Sequence, residues 1–251
     1  MTARVAEIWR HPIKSHGRES LARVTLREGH TMPWDRRWAV AHDAAKADGS
    51  EWAPCQNFSR GAKAPKLQAI SARSNLAEGT VTLSHPECEA ITINPDDPAD
   101  QARFIDWVHP ISPADRALPD RVLRVADRGM TDTDYPSISI LNTASHAQVS
   151  DRIGRDISIK RWRGNLVLEG LEPWAERTWI GQRIKLGGAV LDVREEIVRC
   201  LATTASTRTG ERDADTLGAL MTGWGHKNFG VYAEVVQSGE VQRGDPVEIL
   251  S

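Results

Sequence analysis

RIKLGGAVLDVREEIVRC, residues 183–200, contains three short β-like runs: Arg183–Leu186, Ala189–Val193 and Ile197–Cys200. Glycine or charged residues bound each run, and Gly187-Gly188 reads as a turn between the first two. Runs of the same kind recur in both directions. Toward the N-terminus they fall at Val5–Trp9, Leu21–Leu26, Trp38–His42, Leu67–Ala72, Val81–Leu83, Ala90–Ile93, Arg121–Ala126, Ser137–Leu141, Ile157–Trp162 and Asn165–Leu168. Toward the C-terminus they fall at Val231–Gln237 and Val247–Leu250. Two helices are predicted among them. In Pro98–Val108, residues Ala102, Ile105 and Trp107 give a partly periodic apolar face, which His109-Pro110 ends. The second begins at Asn142, a good N-cap, and runs to Ile153, with Gly154 as its stop. The fold class expected is mainly β with a few helices (α+β), arranged as two barrel-like halves. The proline-rich segment His109–Asp120 is the best boundary, giving domains over 1–120 and 121–251.

A chain of 251 residues accommodates one large all-β domain or two smaller, closely packed ones. With a net charge of −2, neither nucleic acid nor an anionic membrane is an expected partner. The opening MTARVAEIWRHPIKS has no uninterrupted apolar run, so no secretory signal is expected. No stretch reaches the roughly 20 apolar residues of a membrane span. The three cysteines, Cys55, Cys88 and Cys200, are dispersed and odd in number. They predict free thiols in a reducing, cytoplasmic setting.

No histidine pair has the spacing of a zinc motif, and no nucleophile elbow, phosphate loop or dinucleotide fingerprint occurs. Clustered cysteines suited to an iron–sulfur centre are also missing. Cys200 is the informative thiol. A lone cysteine in a strand is ordinarily an inert small hydrophobe. The adjacent Arg199, however, favours a thiolate, the form that binds metal or attacks. Several cations also lie in turn-like settings: Lys14 in HPIKS, Arg36 in PWDRRW, and Arg163 followed by Asn165 in RWRGN. Singly each reads as a solvated charge. Together they supply the charged and forked donors that a phosphate and a heterocycle need.

Several stretches, in order along the chain, resemble the MOSC family of molybdenum-cofactor proteins. IWRHPIKSHGRESL (8–21) is similar to the segment opening that family's N-terminal barrel, and WDRRWAV (34–40) to its D-R-x-W motif. RWRGNLVLEG (161–170) resembles R-F-R-P-N-I-V-V-x-G, and VRCLATTASTRTGE (198–211) the segment carrying the metal-binding cysteine. FGVYAEVVQSGEVQRGDPVEIL (229–250) is similar to the family's closing sequence. The resemblance implies an N-terminal MOSC-type β-barrel domain packed on a C-terminal MOSC β-barrel domain. It implies a molybdenum cofactor (Mo-molybdopterin) between the halves, with Cys200 as metal ligand and catalytic centre. Lys14, Ser15 and Arg36 map onto positions near the pterin phosphate, and Arg163, Asn165, Arg199 and Tyr232 onto further pocket positions. The activity implied is reduction of N-hydroxylated small molecules, as in the amidoxime reducing components. Electrons would come from a separate partner, a ferredoxin or cytochrome served by a flavin reductase. Some MOSC domains belong to cofactor sulfurases, so a persulfide-handling protein or a non-catalytic cofactor carrier is the alternative. The chain departs from the pattern at His16, Gly164 and Ala205-Ser206-Thr207, where relatives carry cysteine, proline and Val-Asp-Pro. An aspartate near the metal would assist proton delivery, so its replacement by Ser206 bears on the reaction. Cys55 is expected to serve packing.

Overall fold

The computed structural model describes residues 2–250. Strands dominate, in chain order β1 (Arg4–Arg10), β2 (Glu19–Leu21), β3 (Arg23–Leu26), β4 (Ala39–His42), β5 (Ser71–Asn75), β6 (Thr80–His85), β7 (Cys88–Ile93), β8 (Pro119–Leu123), β9 (Ser137–Asn142) and β10 (Leu166–Glu169). The series ends with β11 (Arg183–Leu186), β12 (Ala189–Val198), β13 (Asn228–Gln237), β14 (Gly239–Gln242) and β15 (Val247–Leu250). Three α-helices accompany them: α1 (Pro98–Val108), α2 (Thr143–Ile153) and α3 (Thr216–Trp224). None of the helices is long and apolar enough to cross a membrane.

Eight strands form one sheet in the order β15-β11-β12-β13-β9-β10-β1-β2. Its pairs are antiparallel except β9 with β10, and that parallel pair needs the crossover that α2 provides. Alternate residues of these strands point to one core, where Ile8, Ile138, Ile140, Leu166, Leu168, Ile184, Leu191 and Val231 are fully buried. The opposite face carries α2 and α3 over Leu141, Val149, Val167, Leu220 and Phe229. β9 is therefore buried on both sides, which explains why SISILN shows no clean alternation.

The first strands belong to this sheet as much as the last ones do. β1 pairs with β10, and β3 pairs with β14 in a separate ladder. Val5, Ile8, Val24, Leu26 and Met32 are built into the same core as Leu186 and Val235. The remainder of the first half forms β5-β6-β7, backed by α1, around Trp38, Leu67, Ile70, Leu83 and Phe104. β4 pairs with β8 alongside it.

Both expected helices have the bounds read from sequence. Asp97 caps α1 by accepting from the N–H groups of Ala99 and Asp100, and Gly154 ends α2 with φ 80°. Other segments depart from expectation. Leu67–Ala72 is not one strand: a 3-10 turn, Pro65–Ala69, precedes β5. Ile157–Trp162 likewise gives way to the 3-10 turn Ile159–Trp162, whose entry Ser158 caps by accepting from Lys160 N–H. Short apolar runs do not distinguish strand from tight turn, and the turn chemistry of Pro65 and Ser158 decides both cases. Ala189–Val193 and Ile197–Cys200 fuse into β12, whose register against β13 shifts between Val193 and Glu195 and again between Glu196 and Val198. β12 stops at Val198, so Cys200 lies beyond the strand. Helix α3 has no counterpart in the reading above because Gly218 and Gly223 interrupt its sequence signal. The 121–126 run also ends sooner, at Leu123.

Candidate functional site

The end of β12 turns sharply because Arg199 is pinned from several sides. Its guanidinium donates through Nη1 to Trp162 O (2.7 Å) and through Nε to Phe229 O (2.8 Å). It also lies over the stacked rings of Trp162 and Phe229, whose centroids are 4.1 Å apart. Burial lowers the Arg199 pKa to about 10, which leaves it charged at neutral pH. Cys200 follows, exposed, at the entry to the 3-10 turn Leu201–Thr204. The first half of the chain holds that turn: Gln68 Nε2 donates to Ala202 O (2.9 Å) and to Arg161 O (3.1 Å).

Cys200 faces a cleft of about 580 Å³ between the halves, with Lys14, Ser15, Arg36, Arg163, Arg199 and Tyr232 in its wall. Three of these adopt the left-handed conformation that L residues rarely take: Ser15 (φ 64°), Arg36 (φ 50°) and Arg163 (φ 51°). Such backbone persists only where its surroundings impose it. Here Arg36 N–H donates to His11 O (2.6 Å), Arg36 O accepts from Met130 N–H (2.7 Å), and Arg36 Nη2 reaches Arg163 O (2.9 Å). The segments around 11–16, 34–38, 130 and 163 are thus cross-tied at the cleft floor.

Charge is arranged in layers. Asp35 is buried behind the floor, bonded to His11 and ion-paired with Arg36. Burial opposes its charge, but Arg36 and His11 outweigh that effect and hold its carboxyl well below the usual range. Burial also works against Arg36, while Asp35 and Asp132 raise its pKa above the usual value. Lys14 Nζ donates to Met130 O (2.7 Å) and pairs with Asp132. The Asp132 side chain remains 53 % exposed to the cleft. Enclosure by the walls opposes its charge, yet Lys14, Arg36 and Arg163 hold it down to about 2, so it is a carboxylate at neutral pH. Burial and the Asp132 charge raise the Tyr232 pKa, so its phenol keeps its proton.

Arg163 is the least satisfied of these groups. Nη2 donates to Gly17 O (3.1 Å), but Nη1 is buried with no acceptor among the described residues. Burial, then Arg36 and Arg18, lower its pKa to about 9. A buried cationic donor without a partner is uncommon in folded proteins. An acceptor-rich, anionic group in the cleft would complete it. Among the described residues no group of three or more His, Cys, Asp or Glu is placed to hold a metal ion. A metal held at Cys200 through an organic cofactor would not need such a cluster. The residues present fit such a group: one exposed thiol, a cationic floor and an unmet donor.

The structure brings Cys200, Lys14, Ser15, Arg36, Arg163, Arg199 and Tyr232 to one cleft, and places Asn165 one layer behind it. Asn165 Oδ1 accepts from the Ser139 hydroxyl (2.7 Å) and Arg36 Nη1 (3.5 Å), while Nδ2 donates to Trp9 O (3.2 Å). It positions Arg36 from behind. Cys55 does line the cleft, accepting from Arg60 Nη1 at 3.1 Å, contrary to the packing role expected. Asp132, Trp52 and Arg60 also line it; no local motif marks them, since only the tertiary fold brings them there. Ser206 is not in the cleft wall. Its buried hydroxyl accepts from the N–H groups of Arg208 (3.2 Å) and Thr209 (3.4 Å), a turn-capping role that a carboxylate fills equally well.

Comparison with known proteins adds two family matches in order. The model of the MOSC N-terminal beta barrel domain matches residues 2–109, and that of the MOSC domain matches residues 127–248. A molybdenum cofactor sulfurase of Anopheles gambiae is 26% identical over 121 residues, covering 43% of this chain and 16% of the relative. The mitochondrial amidoxime reducing component 2 of Bos taurus is 28% identical over 126 residues, covering 45% and 37%. This chain therefore spans a minor part of both. Against the mitochondrial amidoxime-reducing component 1 of Mus musculus the match covers 98% of the chain and 82% of the relative at 24% identity. Among solved structures, the YUAD protein of Bacillus subtilis aligns with a TM-score of 0.49 at 14% identity, covering 99% of this chain and 96% of that one.

Proposed function

Because this chain belongs to the MOSC-domain family, we propose that it is a molybdenum-cofactor-dependent oxidoreductase acting on N-oxygenated small molecules. The observation that carries this reading is one cleft that combines the exposed Cys200 thiol with a cationic floor and the unpartnered Nη1 of Arg163. When bound, the cofactor supplies two-electron reduction at molybdenum, which is the hard part of the chemistry. The protein supplies placement and charge. Cys200 would hold the metal through its sulfur, and Arg199, clamped on Phe229 O and Trp162 O, fixes the backbone that presents it. Lys14 and Arg36 offer positive charge to the pterin phosphate, and Arg163 Nη1 a donor to a phosphate or carbonyl oxygen. Tyr232, held protonated and half-buried, offers a hydroxyl donor at the cleft, and Asp132, ionised, an acceptor. Electrons arrive from a separate redox partner, a ferredoxin or cytochrome served by a flavin reductase, in a cytoplasmic setting.

Elemental and pterin analysis of protein produced with molybdate tests this. Stoichiometric molybdenum and pterin, both lost in Cys200→Ser, together with reduction of benzamidoxime by a chemical donor, are the expected results. Metal-free protein carrying sulfane sulfur would instead establish the sulfur-handling reading. Two observations favour that second reading: the Cys200 thiol is exposed, and Cys55 shares its cleft. Bound cofactor without turnover under any donor would point to a carrier.

A further inference from the structure

We propose that a second binding site, for a small organic anion bearing a flat ring, lies behind the cleft floor over Trp34 and Arg37. This proposal is independent of the cofactor reading. Arg36 turns into the cleft, whereas Trp34, Asp35 and Arg37 line a separate pocket of about 410 Å³. Trp34, like Arg36, is left-handed (φ 66°), so the backbone is held at both positions flanking Asp35. The opposite wall comes from residues 124–129, including Arg124 and Arg128, and the rim from Arg27 and the half-exposed Leu76.

The pocket's charges do not cancel. Asp35 is neutralised from behind by Arg36, and Arg124 by Asp96 at 2.7 Å. Among the described residues, Arg27, Arg37 and Arg128 have no carboxylate within 4.0 Å, and Asp127 is the one further acid in the lining. Arg128 donates to neutral carbonyls, those of Asp134 (2.7 Å), Thr133 (3.1 Å) and Tyr135 (3.3 Å), which fix its position, and the Asp134 carboxylate acts on it only from beyond ion-pair distance. Arg37 is held differently. Its guanidinium carbon lies 5.7 Å from the Trp34 ring and 5.3 Å from the Trp38 ring, while its Nε is enclosed without an acceptor. Three guanidinium groups without an ion-pair partner, against the single further carboxylate of Asp127, leave the concavity positive and select an anion. The indole of Trp34 and the side chain of Leu76 beside them select a flat apolar body on that anion. A carboxylate and a phosphate monoester both satisfy this chemistry.

Calorimetric titration of the full chain at low salt, with phenyl phosphate, benzoate and inorganic phosphate as probes, tests the site. Phenyl phosphate should saturate one site and bind more tightly than inorganic phosphate, which gains nothing from the ring. Arg37→Gln should weaken it by about tenfold or more, and Lys14→Gln should leave it unchanged. Arg27→Gln, at an exposed position, should weaken it too without disturbing the tryptophans. Benzoate binding as tightly as phenyl phosphate assigns the site to carboxylates, and weaker benzoate binding assigns it to phosphate monoesters. Absence of saturable binding overturns the proposal. So does binding that is lost in Lys14→Gln but kept in Arg37→Gln and Arg27→Gln, since the anion would then sit in the cleft.

Discussion

His16 occupies a fully buried position where a ring nitrogen has no partner: Nδ1 meets Lys14 O at 2.7 Å, and Nε2 meets nothing. Burial lowers its pKa from 6.5 to about 4. Above pH 6.5 the folded and unfolded chains both keep it neutral. As pH falls below 6.5 the unfolded chain takes up a proton that the folded chain refuses, so stability drops and levels off near pH 4. The full effect is about 3 kcal/mol, and His11, also shifted well down, acts in the same direction. Urea unfolding from pH 7 to pH 4.5 should show the loss in the native protein and a smaller loss in His16→Asn. Equal losses would place the acid sensitivity at other groups. Lys14 and Arg36 make a second prediction at this scale. Charge removal at either should lower pterin and molybdenum content with the folded circular dichroism spectrum kept. Full cofactor occupancy in the double variant would remove both from the site.

The Cys200 turn and the 161–165 segment show how elements transmit sequence into the site. Gly164 lies in the turn between Arg163 and Asn165. A Cβ there would meet the buried Leu141 side chain at 2.4 Å, so β9 and this turn are packed to the limit of glycine. Gly164→Ala should destabilise by about 1–3 kcal/mol in a urea melt, and the same substitution should cost less when made in a Leu141→Ala background. An equal cost in both backgrounds would mean that the Leu141 contact is not the obstacle. The same elements mark how far the sequence could be read. Both helices were legible because local signals mark them: the Ala102, Ile105 and Trp107 face with the His109-Pro110 stop for α1, and Asn142 and Gly154 at the ends of α2. The 3-10 turns at 65–69 and 159–162 and the glycine-interrupted α3 were not, because tertiary burial decides them. Among site residues, Lys14, Arg36, Arg163 and Cys200 sit in recognisable stretches. Asp132, Arg60 and the cleft position of Cys55 needed the fold, and the burial of Asn165 behind Arg36 has no signature in RWRGN.

At the scale of the whole molecule, the halves share strands as well as a cleft. The core around Ile8, Val24 and Leu26 is completed by Leu186, Val231 and Val235. A fragment ending near residue 120 would expose the partnerless edges of β1 and β3 and half of a hydrophobic core. Expressed alone it should be insoluble or strongly dye-binding, while co-expression with the remainder should restore a soluble complex. A fragment that is well folded and monomeric by chemical-shift dispersion would contradict that.

The pairing of β1 with β10 also sets an order of events during synthesis. Of the strands described, β1 is made before the rest and β2 covers one of its edges at once, but its other edge waits for Leu166–Glu169, and β3 waits longer still, for Gly239–Gln242. Until those partners are made, the open edge of β1 and the β3 ladder position stay unpaired, and closing so long a loop is slow. The interval before closure is when the chain is most open to misassembly. Early capture by a chaperone would therefore protect this protein more than added native stability would.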